Sequence, residues 1–210
     1  AVVRGGQVIA RDERTVLGPL LRIDHGVASR ELAAVTVADR SVLGSDHRAQ
    51  RIVYAVGGVD GRDTEVRLEL KDTYSTMEEA KADAMGEWDI FMLTRAGRGY
   101  FPEAIFRQQS ATYLAGIFRS VRFGIGEAHG KANAIQFNYL VEKGAILHDA
   151  QTGKFRMNVA VFESAISDLV GEICTIQAEG DYAASQAFIK RYGGMPEVLA
   201  EALAKLDHIP

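Results

Sequence analysis

The stretch Ser75–Leu93, STMEEAKADAMGEWDIFML, constrains the fold more than any other part of the chain. Ser75 followed three residues later by Glu78 forms a capping box, which predicts a helix beginning at Thr76. With helical periodicity, Met77, Ala80, Ala84, Trp88 and Phe91 fall on one apolar stripe. The opposite side carries Glu79 and Asp83, one turn apart, among Ala82, Gly86 and Ile90. A helix that is small or apolar on two sides is expected to be buried, and a buried carboxylate needs a cation or donors around it. Glu79 and Asp83 are therefore the first candidates for function. The plainer alternative is a capping Glu78 plus two carboxylates that face solvent or pair with Lys or Arg.

The rest of the chain divides around residue 62. Residues 1–62 hold short β-branched runs, Val35–Val37 and Ile52–Val56, broken by Gly, Asp and Arg clusters. They predict a small irregular or β-containing N-terminal segment. From 63 to 210 the pattern is mainly α, a multi-helix domain of about six helices. After the Ser75 helix, one is expected from Pro102 toward Arg122 and another over Glu127–Glu142, closed by Lys143-Gly144. Three more follow over Val161–Ala178, over Asp181–Tyr192 and after Pro196. A turn is expected at Asp149–Gly153.

Charge and cysteine content narrow the partners. A net charge of −4 and a pI near 5.8 leave no electrostatic footprint for nucleic acid. No apolar run is long enough for a transmembrane helix, and the first residues show no signal-peptide pattern. Cys174 is the single cysteine, which excludes an internal disulfide and fits a reducing cytoplasm.

A second polar cluster lies beyond Gly126. His129, Asn133 and Gln136 share one helical face, flanked by Ile125 and Leu140. Lys and Glu normally fill a solvent face, so an imidazole with two amides reads as a wall donating hydrogen bonds into a substrate cleft. It reads equally as a core histidine satisfied by a backbone carbonyl or by Asn133.

At these residues the chain resembles the C-terminal part of the dipeptidyl peptidase III family of zinc metallopeptidases. The likeness rests on VRLELKDTYSTMEEAKAD (66–83), TYLAGIFRSVRFGIGEAHGKANAIQFNYLVEKGA (112–145) and TIQAEGDYAASQAFIKRYG (175–193). It is nearest to the bacterial branch, which in plants is fused behind a Nudix domain. The resemblance implies that Glu79 is a zinc ligand, that Glu78 and Asp83 orient the other ligands, and that His129 stabilises a tetrahedral intermediate. It also implies a peptide substrate or ligand.

One departure qualifies what the resemblance implies. The family's His-Glu-x-x-Gly-His motif, with two zinc ligands and the general base, is absent, and so is a Nudix box. The five histidines, His25, His47, His129, His148 and His208, stand far apart in sequence. The expectation is thus a partial or degenerate zinc peptidase, inactive as this chain alone. The alternative is a non-catalytic helical module that binds peptide or protein.

Overall fold

A computed structural model describes residues 3–4, 7–8, 33–41, 48–57, 63–95, 101–102, 104–206 and 208. Two compact units emerge: residues 1–69 with 178–180, and residues 70–177 with 181–210.

The first unit is built on strands. A short pair, β1 (Val3–Arg4) with β2 (Gln7–Val8), precedes an antiparallel hairpin of β3 (Ala33–Ser41) and β4 (Arg48–Gly57). The β-branched runs that announced extended structure lie in these two longer strands, as their pleat preference requires. β4 also pairs with β5 (Asp63–Thr64), and a five-residue helix α1 (Val66–Leu70) follows.

The second unit is helical, as the pattern beyond residue 63 predicts. A 3-10 turn over Lys71–Thr73 runs into α2 (Tyr74–Arg95). Then come α3 (Ile105–Val121), α4 (Ala128–Glu142), the hairpin β6 (Ile146–Asp149) and β7 (Lys154–Met157), α5 (Val159–Glu179), α6 (Tyr182–Tyr192) and α7 (Glu197–Ala204). No described helix is long and apolar enough to cross a membrane.

α4 is the central element, packed against both α2 and α3. Nine of its residues, from Gly130 to Leu140, are buried, so it has almost no solvent face. Gly144, at φ +71°, closes it in the left-handed conformation that glycine adopts without strain. Around it Phe91 stacks on Phe106 (5.3 Å) and meets Phe162 edge-on (5.4 Å), while Phe118, Phe137 and Phe155 form a second aromatic group. Leu114, Ile117, Leu140 and Ile166 fill the space between.

The start of α2 differs from expectation. Tyr74 is already in the right-handed helical region and its N–H bonds to the Lys71 carbonyl. The chain therefore enters α2 from a preceding turn, and no cap is required at Ser75. The Glu78 carboxylate instead accepts from Lys81 Nζ (2.6 Å) and Gln177 Nε2 (2.7 Å), the latter on α5. The apolar stripe is as expected: Met77, Ala80, Ala84 and Phe91 are buried, with Trp88 half-buried at its edge.

Candidate functional site

Three helices bring the candidate residues together. Glu79 and Asp83 sit one turn apart on α2, and His129 and Asn133 one turn apart at the start of α4. The two helices lie against each other, so these residues form two rungs. In the outer rung His129 Nδ1 is 3.2 Å from Glu79 Oε2; in the inner one Asn133 Nδ2 donates to Asp83 Oδ2 at 3.2 Å.

The rungs differ in burial. The His129 and Glu79 side chains are 57% and 48% exposed, whereas Asn133 and Gln136 are buried. A half-exposed contact competes with water for its bond and contributes little, on the order of 0.2–1 kcal/mol even when both groups are charged. Hydrogen bonds to a charged group contribute about 1.5–3 kcal/mol each, and Asp83 Oδ2 receives two, from Asn133 and from Gln136 Nε2 (3.1 Å). Gln136 in turn accepts from the Tyr113 hydroxyl of α3. The inner rung is therefore the stronger tie.

The third contribution comes from the end of α3. Ser120 Oγ lies 3.3 Å from His129 Nε2. Other helix hydroxyls here, Thr94, Thr112, Ser164 and Thr175, hydrogen-bond to a carbonyl three or four residues back, as is usual mid-helix. Ser120 faces the imidazole instead. The α3–α4 connection holds this distance: Gly124 adopts φ +96°, and a Cβ at Gly130 would land on the Gly124 carbonyl oxygen. Only glycine at 130 lets the two helix ends meet so closely.

Glu79, Ser120 and His129 thus form a carboxylate–imidazole–hydroxyl line. With Glu79 ionised and accepting, the imidazole carries its proton on Nδ1, and Nε2 is left as the basic nitrogen beside Ser120. That arrangement can move a proton. Both the Glu79 and the His129 side chains are about half exposed, and two hollows among the described residues, one beside Asp72 and Lys190 and one beside Asn138 and Glu142, are lined by neither.

Behind the line is a carboxylate that the sequence pattern did not single out. Glu87, one turn beyond Asp83, is 3% exposed. Its Oε2 accepts from Gln109 Nε2 (2.7 Å), and its Oε1 is buried without a partner among the described residues. Burial raises its pKa, and the Gln109 hydrogen bond offsets part of the rise. Burial also drives the Tyr113 hydroxyl well above its ordinary value, and the charges of Asp83 and Glu87 add to that. The spacing Glu79, Asp83, Glu87 was the available signal, since it puts three carboxylates on one helix stripe.

Asn133 and Gln136, expected on a cleft wall, are buried, and their amides tie α4 to Asp83 of α2. Glu79 is exposed at the surface, and Glu87 is the buried acid. Among the described residues, the donors around Glu79 do not make the zinc site implied for it. Glu79 meets one imidazole at hydrogen-bond distance, and among the described residues no three His, Cys, Asp or Glu side chains converge where they could hold a metal ion. His148 stacks on Phe155 in the β6–β7 hairpin, while His25 and His47 lie outside the described residues.

No family model matches the chain. A curated relative, Nudix hydrolase 3 of Arabidopsis thaliana, is 41% identical over 151 residues, which is 71% of this chain and 19% of the relative. Among solved structures, the chain is similar to DPP III from Caldithrix abyssi, with 41% identity, a TM-score of 0.70, and coverage of 74% of this chain and 29% of that one. It is also similar to dipeptidyl-peptidase III from Corallococcus sp. strain EGB, with 34% identity, a TM-score of 0.69, and coverage of 74% and 28%. The chain spans less than a third of each protein it matches. The name of the curated relative, a Nudix hydrolase, corrects the assignment to the zinc peptidase family. With that assignment go the degenerate peptidase, its zinc and its peptide partner, and also the alternative of a non-catalytic peptide- or protein-binding module. The likeness to the two solved structures remains a likeness of sequence and fold over this segment, and hydrolysis is the activity that all three names share.

Proposed function

We propose that this chain is part of a hydrolase and supplies its proton-transfer group, His129, oriented by Glu79. The reading is no narrower than hydrolysis, because the chain has no Nudix box and covers a minority of every protein it matches. The observation that carries it is the line Glu79 Oε2–His129 Nδ1 (3.2 Å) and His129 Nε2–Ser120 Oγ (3.3 Å).

The chemistry follows from the tautomer. Glu79 accepts a hydrogen bond from Nδ1–H, so Nε2 keeps a lone pair and takes a proton from an attacking water or hydroxyl. The imidazolium so formed is stabilised by the same carboxylate and returns the proton to the leaving oxygen. General acid–base catalysis of this kind contributes about 10²–10⁴ in rate. Asp83, Asn133 and Gln136 hold the helices that carry the pair, and Glu78 braces α2 against α5. A reducing cytoplasm is part of the proposal; what supports it is that Cys174 is the single cysteine of this sequence.

Hydrolysis of 4-nitrophenyl acetate and of bis(4-nitrophenyl) phosphate tests the proposal directly. The expected result is turnover of one of them that falls about 10²-fold or more in His129→Ala and at least about tenfold in Glu79→Gln. Rates for the intact chain equal to those of His129→Ala would defeat it.

A further inference from the structure

We infer that Asn133 is a positioning residue for His129. Its side chain fixes the first turn of α4 against α2, and through that turn it sets the imidazole opposite Glu79. The inference rests on the proton-transfer reading of His129 and adds a residue that the Glu79–His129–Ser120 line does not contain.

The Asn133 amide makes two hydrogen bonds from one nitrogen. Nδ2 donates to Asp83 Oδ2 at 3.2 Å and to the backbone carbonyl oxygen of His129 at 3.0 Å. A single buried group thus ties the backbone of His129 itself to the helix that bears Glu79. Asn133 is 4% exposed and Gln136, which shares Asp83 Oδ2, is 0% exposed. The Glu79–His129 contact does not fix its own geometry, since both side chains are about half exposed and water competes for the bond. Position comes from the inner rung, where Asn133 and Gln136 are buried and water competes less for their bonds to the half-buried Asp83.

Asn133 touches neither the Glu79 carboxylate nor the His129 ring in any described contact, so its effect has to pass through the backbone. Isotope-edited NMR of the full chain reads that effect without any substrate. The ¹⁵N shifts of the His129 ring report which nitrogen bears the proton. In the unmodified chain the Nδ1–H form is expected to predominate, and in Glu79→Gln it gives way to the mixture of a free imidazole.

Asn133→Ala is expected to produce the same mixture although Glu79 is intact. It should also lower kcat for the chromogenic substrate by roughly ten- to a hundredfold while KM stays within about twofold. Asn133→Asp keeps the volume, cannot donate to the His129 carbonyl, and should behave alike. Wild-type ring shifts in both variants, beside altered shifts in Glu79→Gln, would overturn the positioning role and leave the proton-transfer reading standing. A wild-type chain without the Nδ1–H form would instead remove the proton-transfer reading, and this inference with it. Loss of the cooperative fold in both Asn133 variants would also overturn the inference, by making Asn133 a core residue only.

Discussion

Glu87 lies two helical turns along α2 from Glu79, and the same stripe carries the first carboxylate into the core while leaving the second at the surface. Glu87 is 3% exposed and the Glu79 side chain 48% exposed. The difference is made by what packs above each: α3 places Gln109 and Tyr113 near Glu87, whereas Glu79 meets only the half-exposed ring of His129 among its described partners. One buried oxygen of Glu87 has no donor among the described residues, so its ionised form carries a desolvation cost that Gln109 covers only in part.

That cost makes a pH prediction with a definite sign. The folded-state pKa of Glu87 is raised above the value of 4.5 that the unfolded chain would show. Its contribution to stability is fully present below that unfolded value and is lost as pH rises through the folded one. Glu87→Gln removes the ionisation. At pH 8 it is expected to stabilise the chain by about 1 kcal/mol or more, and at pH 4 to change it little. Thermal melts of both proteins across that range are the measurement. A stability difference that does not grow with pH would show that Glu87 is solvated.

The same substitution at two glycines should have opposite signs. A Cβ at Gly130 would meet the Gly124 carbonyl oxygen, a backbone atom with no rotamer to yield, so the α3–α4 junction must open. Gly130→Ala is expected to cost about 1–3 kcal/mol, as overpacking does, and to separate Ser120 from His129. Gly116, inside α3, has nothing within 4 Å of its would-be Cβ. Gly116→Ala should stabilise by about 0.5–1 kcal/mol through helix propensity alone. Denaturant midpoints for the two variants decide the matter.

How much of this could be read from the chain follows from how far apart the deciding residues are. Gly144, Pro196 and Asp181 act on their own helices, so the ends of α4, α6 and α7 were legible. The start of α2 was not, because a turn over Lys71–Thr73 delivers Tyr74 already helical and makes the Ser75–Glu78 capping box redundant. The spacing of Asn133 and Gln136 shows that they share a face. Their burial depends on Asp83, 50 and 53 residues earlier, and on Tyr113, 23 residues before Gln136. A helical period shows which residues share a face, but not what will cover it. The same limit hides Glu87, and also Ser120, whose hydroxyl reads like any other in a helix until α4 folds back on it.

Asp181 isolates a local effect. Its carboxylate accepts from the Ala184 N–H at 2.9 Å and caps α6, and no described partner outside that turn competes for it. Asp181→Ala is expected to cost about 1 kcal/mol, the usual loss for an N-cap, and Asp181→Ser to recover most of it. Because the cap lies on α6, the ¹⁵N shifts of His129 should not change in either variant. Altered ring shifts would show that α6 contributes to the geometry of the site.

Phe91 and Glu87 test whether the core and the buried acid are one system. Phe91 is one turn beyond Glu87 on α2, stacked on Phe106 and edge-on to Phe162, with 2% of its surface exposed. Phe91→Ala deletes a ring from a closely packed aromatic group and is expected to cost about 3–5 kcal/mol. Much of the void would open along the helix face that shields Glu87. Water entering there would solvate the orphaned Oε1 and bring the acid back toward its ordinary pKa. The two substitutions should therefore not add. In the Phe91→Ala background, Glu87→Gln should lose at least about half a kcal/mol of its stabilising effect at pH 8, a coupling that a double-mutant cycle measures. Additivity would mean that the α3 side chains alone, Gln109 and Tyr113, keep water from Glu87.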